Sequence, residues 1–281
     1  MKNITYSHEH MRIDLSGIKH NDDCYLNVYE EALDEMSYIR SRGVERIVDC
    51  TNHGMGLDID VIRNIEKETG IKILHSTGFY KDPFLPDFFY VMSDEELCDL
   101  MIRDIENGAT FIGEIGTSKN EITKDEKRLF EISLKVHKQT GSPIITHTTL
   151  GTKAIEQARF FKEGGADLHK IIISHTALSD DIDLIIDLLK IGVNVAFDTI
   201  GKLNYLSDTR RIEFIKTAIS RGYVHQLFMS MDITRKSMLK KNGGVGYGYL
   251  LDVFCPKLLE AGVSEKDLET IMCENIERVL V

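Results

Sequence analysis

Four histidines and two carboxylates stand at the ends of short apolar runs: His8 and His10 in ITYSHEH, Glu114 in ATFIGEIG, His147 in PIITHT, His175 in KIIISHT and Asp232 in QLFMSMD. Imidazole and carboxylate groups are the usual ligands of catalytic divalent cations. His8 and His10 are two apart, and side chains alternate faces along a strand, so both rings point one way and Glu9 the other. An HxH pair by itself is weak, because histidines also sit hydrogen-bonded in cores, and its i, i+2 spacing is not the helical HExxH. The signal is its repetition at the ends of further runs. Six such side chains aimed at one point would make a metal site, and one with enough ligands for two ions. Two cations about 3.5–4 Å apart can acidify a shared water, polarise a bound oxygen and steady charge in the transition state.

Elements that could bring these residues together are legible along the whole chain. Gly43, Gly70, Gly108, Gly141, Gly164, Gly192, Gly222 and Gly262 each close a segment that reads as a helix, where a left-handed residue commonly stands. Within a few residues of the first seven an apolar run begins: RIVDCT, IKILHST, ATFIGEI, SPIITHT, KIIISHT, VNVAFDT and QLFMSM. With the opening ITYSHEH this predicts eight strands alternating with eight helices. Ser93 with Glu96, and Thr123 with Glu126, have the spacing of a capping box. In the segment from Ser179, Ile182, Ile185, Ile186 and Leu189 fall on one stripe, as in a helix packed on a sheet. Many of the strands are near-continuous apolar runs, which burial on both faces requires.

The fold class expected is therefore α/β, a (β/α)8 TIM barrel with its site at the carboxyl ends of the strands, where ligands distant in sequence meet. An open doubly wound sheet competes, but it lacks a glycine-rich turn after the first strand. Its strand ends would not gather the first, fourth, fifth, sixth and eighth strands. The 281 residues suit one barrel domain spanning 1–281, and no composition shift or long linker suggests a second. The tail from Ser264 reads as a final helix or two packed on the barrel's outside.

Composition excludes other classes. The 42% hydrophobic and 28% charged residues are ordinary for a globular enzyme. A net charge of −11 argues against a nucleic-acid or anionic-membrane surface, though not against a small anionic substrate held by local cations. The five cysteines, Cys24, Cys50, Cys98, Cys255 and Cys273, are scattered without a CxxC, the usage of a reducing compartment. A first ligand at position 8 leaves no room for a signal peptide before it, and no run approaches the ~20 apolar residues of a membrane span. A cytoplasmic protein is expected.

The stretches HEHMRID, IGEIGTS, ITHT, ISHTA, FDTIGK and MSMDITR resemble the phosphotriesterase-related family of the amidohydrolase superfamily, and the likeness runs over essentially the whole chain. The resemblance implies a binuclear metal centre, usually zinc. It puts His8, His10 and Asp232 on the more buried ion and His147 and His175 on the more exposed one, with a hydroxide bridging both. The phosphotriesterases proper also bridge the ions with a carboxylated lysine at the end of the fourth strand; here Glu114 stands instead. A carbamate and a glutamate both present two oxygens able to span two cations. Read by itself, Glu114 also fits a salt-bridged strand-end carboxylate, and its place between Gly113 and Gly116 in an apolar run favours burial with a counter-charge. Manganese, cobalt or iron would also accept these ligands. The mechanism expected has the hydroxide attack a carbonyl or phosphoryl centre, with Asp232 as the catalytic residue that accepts its proton.

Substrate contacts are sought in the loops. Arg235, three residues past Asp232, could grip a phosphate or carboxylate in two-point fashion, and lactonases of the family that act on phosphorylated sugar lactones have an arginine there. The other reading is a solvated basic loop, which suits Lys236, Lys240 and Lys241 better. Tyr80 in HSTGFYKD faces either the substrate or the packing of the barrel mouth. Lys202 in FDTIGK is a further candidate cation. His75 reads as a hydrogen-bonded residue behind the site and Asp198 as a strand-end cap. His20, His53, His137, His169 and His225 receive no role. The function expected is hydrolysis of a small ester, a lactone or another carboxylic ester. Phosphoester hydrolysis and metal-bearing binding without turnover are the alternatives. Deaminases of the superfamily generally use one metal, and a bridging Glu114 points away from them. The partner expected is a small molecule, anionic if Arg235 holds it; a homodimer is compatible with the chain.

Overall fold

The computed structural model of the protein describes residues 1–280. Eight strands lie side by side in chain order: β1 (Ile4–Glu9), β2 (Val44–Asp49), β3 (Lys72–Thr77), β4 (Phe111–Thr117), β5 (Ile144–Thr148), β6 (Ile171–Ile173), β7 (Asn194–Phe197) and β8 (Leu227–Met229). Every neighbouring pair is parallel. Parallel strands need a crossover, and here each is a helix. They are α1 (Leu33–Ser41), α2 (Ile59–Thr69), α3 (Asp94–Glu106), α4 (Lys124–Thr140), α5 (Ala154–Glu163), α6 (Ile182–Ile191) and α7 (Asp208–Ser220), with α8 (Cys255–Glu260) following β8. This is the (β/α)8 barrel that the glycine punctuation predicts.

The barrel wall has a seam. Among the described residues β1 and β8 share no ladder, and side chains and turn amides join them instead. Ser7 Oγ donates to the Met229 carbonyl at 2.9 Å, and Asp232 N donates to the His8 carbonyl at 3.3 Å. Glu9, turned away from His8 and His10 as its alternation requires, accepts from Ser230 Oγ at 2.7 Å, Met231 N at 2.8 Å and Ile233 N at 3.0 Å.

Both capping boxes form. Ser93 Oγ accepts from Glu96 N and Thr123 Oγ1 from Glu126 N, while each glutamate reaches back to the capping residue's amide. On α6 the buried residues are Ile185, Ile186, Leu188 and Leu189, and Asp181 caps its start. One glycine differs from expectation. Gly164 stays right-handed at φ −73°, and Gly165 next to it takes the left-handed turn at φ 75°. The GG pair offered two places for one turn, and spacing did not choose between them.

The tail packs outside the barrel for part of its length only. In the final helical stretch, residues 265–280, Leu268, Ile271, Met272 and Cys273 lie in the outer layer against β1 and β8, as the sequence leads one to expect, but its last turns do not. Its Ile276, Val279 and Leu280 join Val48, Leu74, Phe111, Ile145, Ile172, Ala196 and Phe228, the side chains filling the barrel interior. Burying such a side chain is worth about 1.5–3 kcal/mol, and the open amino-terminal end of the barrel is where this apolar face finds cover. Among the described residues no helix is long and apolar enough to cross a membrane.

Candidate metal centre

Strand geometry delivers each ligand-type residue to the carboxyl end of the barrel. His8 lies within β1, Glu114 within β4 and His147 within β5. His175 and Asp232 lie beyond the ends of β6 and β8, not within the strands, in left-handed conformations at φ 60° and 52°. Such conformations cost a non-glycine residue about 1–3 kcal/mol and persist where surrounding structure holds them. Gly113 has a stricter role. At φ 136°, any Cβ there would come within 2.1 Å of the Ile145 carbonyl oxygen, so only glycine lets β4 run so close to β5 immediately before Glu114.

All six side chains meet, with Glu114 at the centre. Its Oε2 lies 3.2 Å from His8 Nε2 and 3.3 Å from both His147 Nδ1 and His175 Nε2. Its Oε1 lies 3.7 Å from His10 Nε2, and Asp232 Oδ1 lies 3.2 Å from that same nitrogen. His8 Nε2, His10 Nε2 and Glu114 Oε2 are buried and make no hydrogen bond. A buried polar atom without a partner is costly and points to a missing ligand. Two overlapping groups, His8 with Glu114 and His175, and His8 with His10 and Asp232, each converge closely enough to hold a cation. The residues present therefore fit bound divalent metal, with His8 common to both groups and the two oxygens of Glu114 turned toward different imidazoles.

The electrostatics divide the histidines. Burial pushes His147 down to about 4 against the pull of Glu114, so its ring is neutral and ready to ligate. Burial also opposes a charge on His175, but Asp198 outweighs it and raises that ring to about 9. Burial raises the Glu114 carboxyl, yet His8 and His147 hold it well below the carboxylate range. Asp232 is likewise raised by burial and held down by Lys202 and His10. Cys50 lies beside His8, where burial pushes its thiol to about 12, and it joins neither converging group.

Three supporting residues lie behind the ligands. Asp198, read from sequence as a strand-end cap, does accept from His175 N at 3.0 Å. It also lies 2.8 Å from His175 Nδ1 and 3.3 Å from His8 Nδ1, so one buried carboxylate orients two rings. Ser174 Oγ sits 3.2 Å from His8 Nδ1, and Thr51 Oγ1 sits 2.9 Å from His10 Nδ1. Such partners fix the tautomer that leaves the other ring nitrogen free to ligate. Sequence carried one usable signal, an aspartate at the mouth end of β7; the hydroxyls carried none.

A cavity of about 760 Å³ opens above Glu114, His147, His175 and Asp232, and Tyr80, Lys202 and Arg235 all line it. Tyr80 Oη lies 3.2 Å from His147 Nδ1, and Lys202 Nζ contacts Asp232 Oδ2. Arg235 is partly exposed and 3.7 Å from Asp23. Lys19 and Lys81 line the same cavity, though sequence reading gave them no role. Lys236 and Lys241 pair with Glu31 at 3.4 and 2.6 Å, in keeping with a solvated basic loop. His75 stays apart from the cluster, its carbonyl accepting from Thr110 N.

The model of the phosphotriesterase family matches residues 2–280. The chain is 40% identical to the phosphotriesterase homology protein of Escherichia coli over 278 residues, covering 96% of this chain and 95% of that one. The solved structure of that protein, with phosphate in its active site, superposes with a TM-score of 0.96 over 100% of this chain and 99% of that one, at 39% identity. The N-acetyltaurine hydrolase of Mus musculus is 30% identical over 98% of this chain and 82% of its own. A lactonase of Listeria monocytogenes matches with a TM-score of 0.92 at 26% identity, over 99% of this chain and 94% of that one.

Proposed function

This chain belongs to the phosphotriesterase family and is a hydrolase, and from that premise we propose that it uses two divalent cations to cleave a small ester, a lactone or another carboxylic ester. His8, His10 and Asp232 would hold one ion, His147 and His175 the other, and Glu114 both. Zinc suits this ligand set, and manganese, cobalt or iron could replace it. The observation that carries the reading is the Glu114 carboxylate, which faces four imidazoles with its two oxygens at the floor of the cavity.

When bound, the pair of ions would acidify a water and polarise the substrate's carbonyl oxygen. The chain's own residues do the rest. Asp198 holds the rings of His8 and His175 with their Nε2 atoms turned inward. Asp232 is held as a carboxylate at the cavity floor, where it would take the proton of the attacking water. Lys202, against that oxygen, steadies the charge and helps position the substrate. Tyr80 presents its hydroxyl beside His147, where it donates to the substrate oxygen that gains charge. Arg235 reaches an anionic group farther out on the cavity wall.

Phosphoester hydrolysis is the second reading, favoured by the phosphate in the active site of the solved E. coli relative and by the lysines and arginine around the cavity. The test is a panel of lactones, carboxylic esters, acylated amino-sulfonates and phosphoesters, assayed before chelation, after it and after metal return. The reading expects the highest kcat/KM on a lactone or carboxylic ester, lost on chelation and regained with metal. A protein that binds two ions and turns over nothing in the panel would be a binder. Highest turnover on phosphoesters would make the second reading the correct one.

A further inference from the structure

One wall of the cavity carries two cations that the proposed chemistry does not use. Lys81 follows Tyr80 in the loop after β3, and Lys19 ends the short helix Ser16–Lys19 after β1. Their ammonium nitrogens lie 5.7 and 5.6 Å from the centre of the same ring, Phe84. Lys19 is exposed at the mouth, whereas Lys81 is buried at 9% exposure. Gly116 makes that burial feasible. A Cβ there would meet Lys81 Cδ at 3.0 Å and His147 Cβ at 3.1 Å, so the missing side chain is the groove in which the lysine lies beside a proposed ligand.

A buried ammonium needs a counter-charge, and this one has none in contact. Among the described residues its only hydrogen-bond partner is the carbonyl of Asp82, at 2.8 Å. Lys202 pairs with Asp232 and Arg235 with Asp23, but neither Lys19 nor Lys81 forms an ion pair among the described residues. The carboxylates that could compensate at longer range are committed elsewhere. Glu126 is held by Ser118 Oγ and Thr123 N, and Glu114 faces the imidazoles. Burial lowers the Lys81 ammonium despite Glu126, as expected where no anion touches it. Leaving a charge unpaired out of water is costly, so a cation in this state is poised for an anionic ligand.

We propose that Lys81, with Lys19 across the Phe84 ring, is an oxyanion-binding site for a carboxylate, sulfonate or phosphate group on the substrate, on the β1 and β3 side of the cavity. The assignment rests on the hydrolase reading for the fate of the ligand but not for its binding. The substrate is then an ester whose anionic group lies on the His147 side of the cavity, between Lys81 and the mouth.

The test is calorimetric titration of the metal-loaded protein with inorganic phosphate, sulfate and acetate, repeated with Lys81→Gln, Lys19→Gln, the double variant and Lys236→Gln. The tightest of the three anions is expected to bind at least about tenfold more weakly to Lys81→Gln and about threefold more weakly to Lys19→Gln, a charge-assisted hydrogen bond lost in the first case. Lys81→Arg keeps most of the affinity, and Lys236→Gln is unchanged. Melting temperatures, expected to stay within a few degrees, separate a lost contact from a lost fold. Wild-type affinity in the double variant overturns the site, as does a wild-type protein that binds none of the three at millimolar concentration. If anions bind as expected and no ester is cleaved, the ester-cleavage reading fails and this site stands.

Discussion

His175 Nδ1 lies 2.8 Å from Asp198 Oδ1, and the other oxygen of that carboxylate lies 3.3 Å from His8 Nδ1. A single aspartate behind the barrel mouth therefore sets two rings at once. Asp198→Asn keeps the shape but offers an amide in place of one acceptor oxygen. Metal affinity is expected to fall by about 10–100-fold, with activity recovered at high metal concentration. Competition with a chromogenic chelator measures it, and an unchanged affinity would reject the orienting role.

Glu114 and Asp232 should fail in different ways. Glu114→Ala removes the carboxylate that faces all four imidazoles, and elemental analysis should find fewer than two ions per chain. Asp232→Asn should leave much of the metal bound while lowering kcat by about 10²–10⁴-fold, the scale of a lost general base. Full turnover by Asp232→Asn would reject the proton-accepting role.

Metal uptake should release protons. In the metal-free protein His175 is raised to about 9, so at pH 7 its ring is charged, whereas His147, lowered to about 4, is neutral. An ion needs a neutral imidazole, so affinity should climb with pH through about 9, where His175 loses its proton; His8, also raised, adds to the climb, and His147 adds no proton to the count. Titrations in buffers of different ionisation enthalpy should yield about one proton or more per chain at pH 7. The same shift has a stability sign. Because the folded value lies above the unfolded one, the His175–Asp198 pair stabilises metal-free protein below about pH 6.5 and loses that contribution as pH rises through about 9. Chemical denaturation of chelated protein across that window checks it.

Gly113→Ala places a methyl where 2.1 Å separates it from the Ile145 carbonyl oxygen. Backbone on both sides has to shift, and the φ of 136° is poor for any other residue. A loss of at least about 3 kcal/mol is expected, at the upper end of single substitutions, with β4 and Glu114 displaced. A thermal melt within two degrees of wild type would contradict this.

The ligands were readable because each sits where a buried strand meets the mouth, so an apolar run ending in His, Glu or Asp gives both position and direction. Eight repeats of run and glycine did the same for the barrel. The supporting shell was not readable. Ser174 and Thr51 are ordinary strand-end hydroxyls whose value depends on which imidazole nitrogen they face, a matter of ångströms and not of spacing. Lys81 was hidden for another reason, since a lysine beside a tyrosine in a loop looks solvated until Gly116 is seen to make room for it. The plug formed by the last turns of the tail was hidden because an amphipathic helix shows which of its faces is apolar, not which opening in the molecule that face will cover.

The junction between β1 and β8 has a consequence for how the molecule is held together. His8 and His10 stand on one bank of it and Asp232 on the other, stitched by Ser7, by Glu9 and by the amide of Asp232 itself. An ion gripped by those three residues would be a rivet through the joint, fastening the barrel's first stave to its last. Stripping the metal would then do more than silence an enzyme: the wall itself would part most readily at that line, and the amides of residues 7–9 and 230–233 would be the first to exchange with solvent.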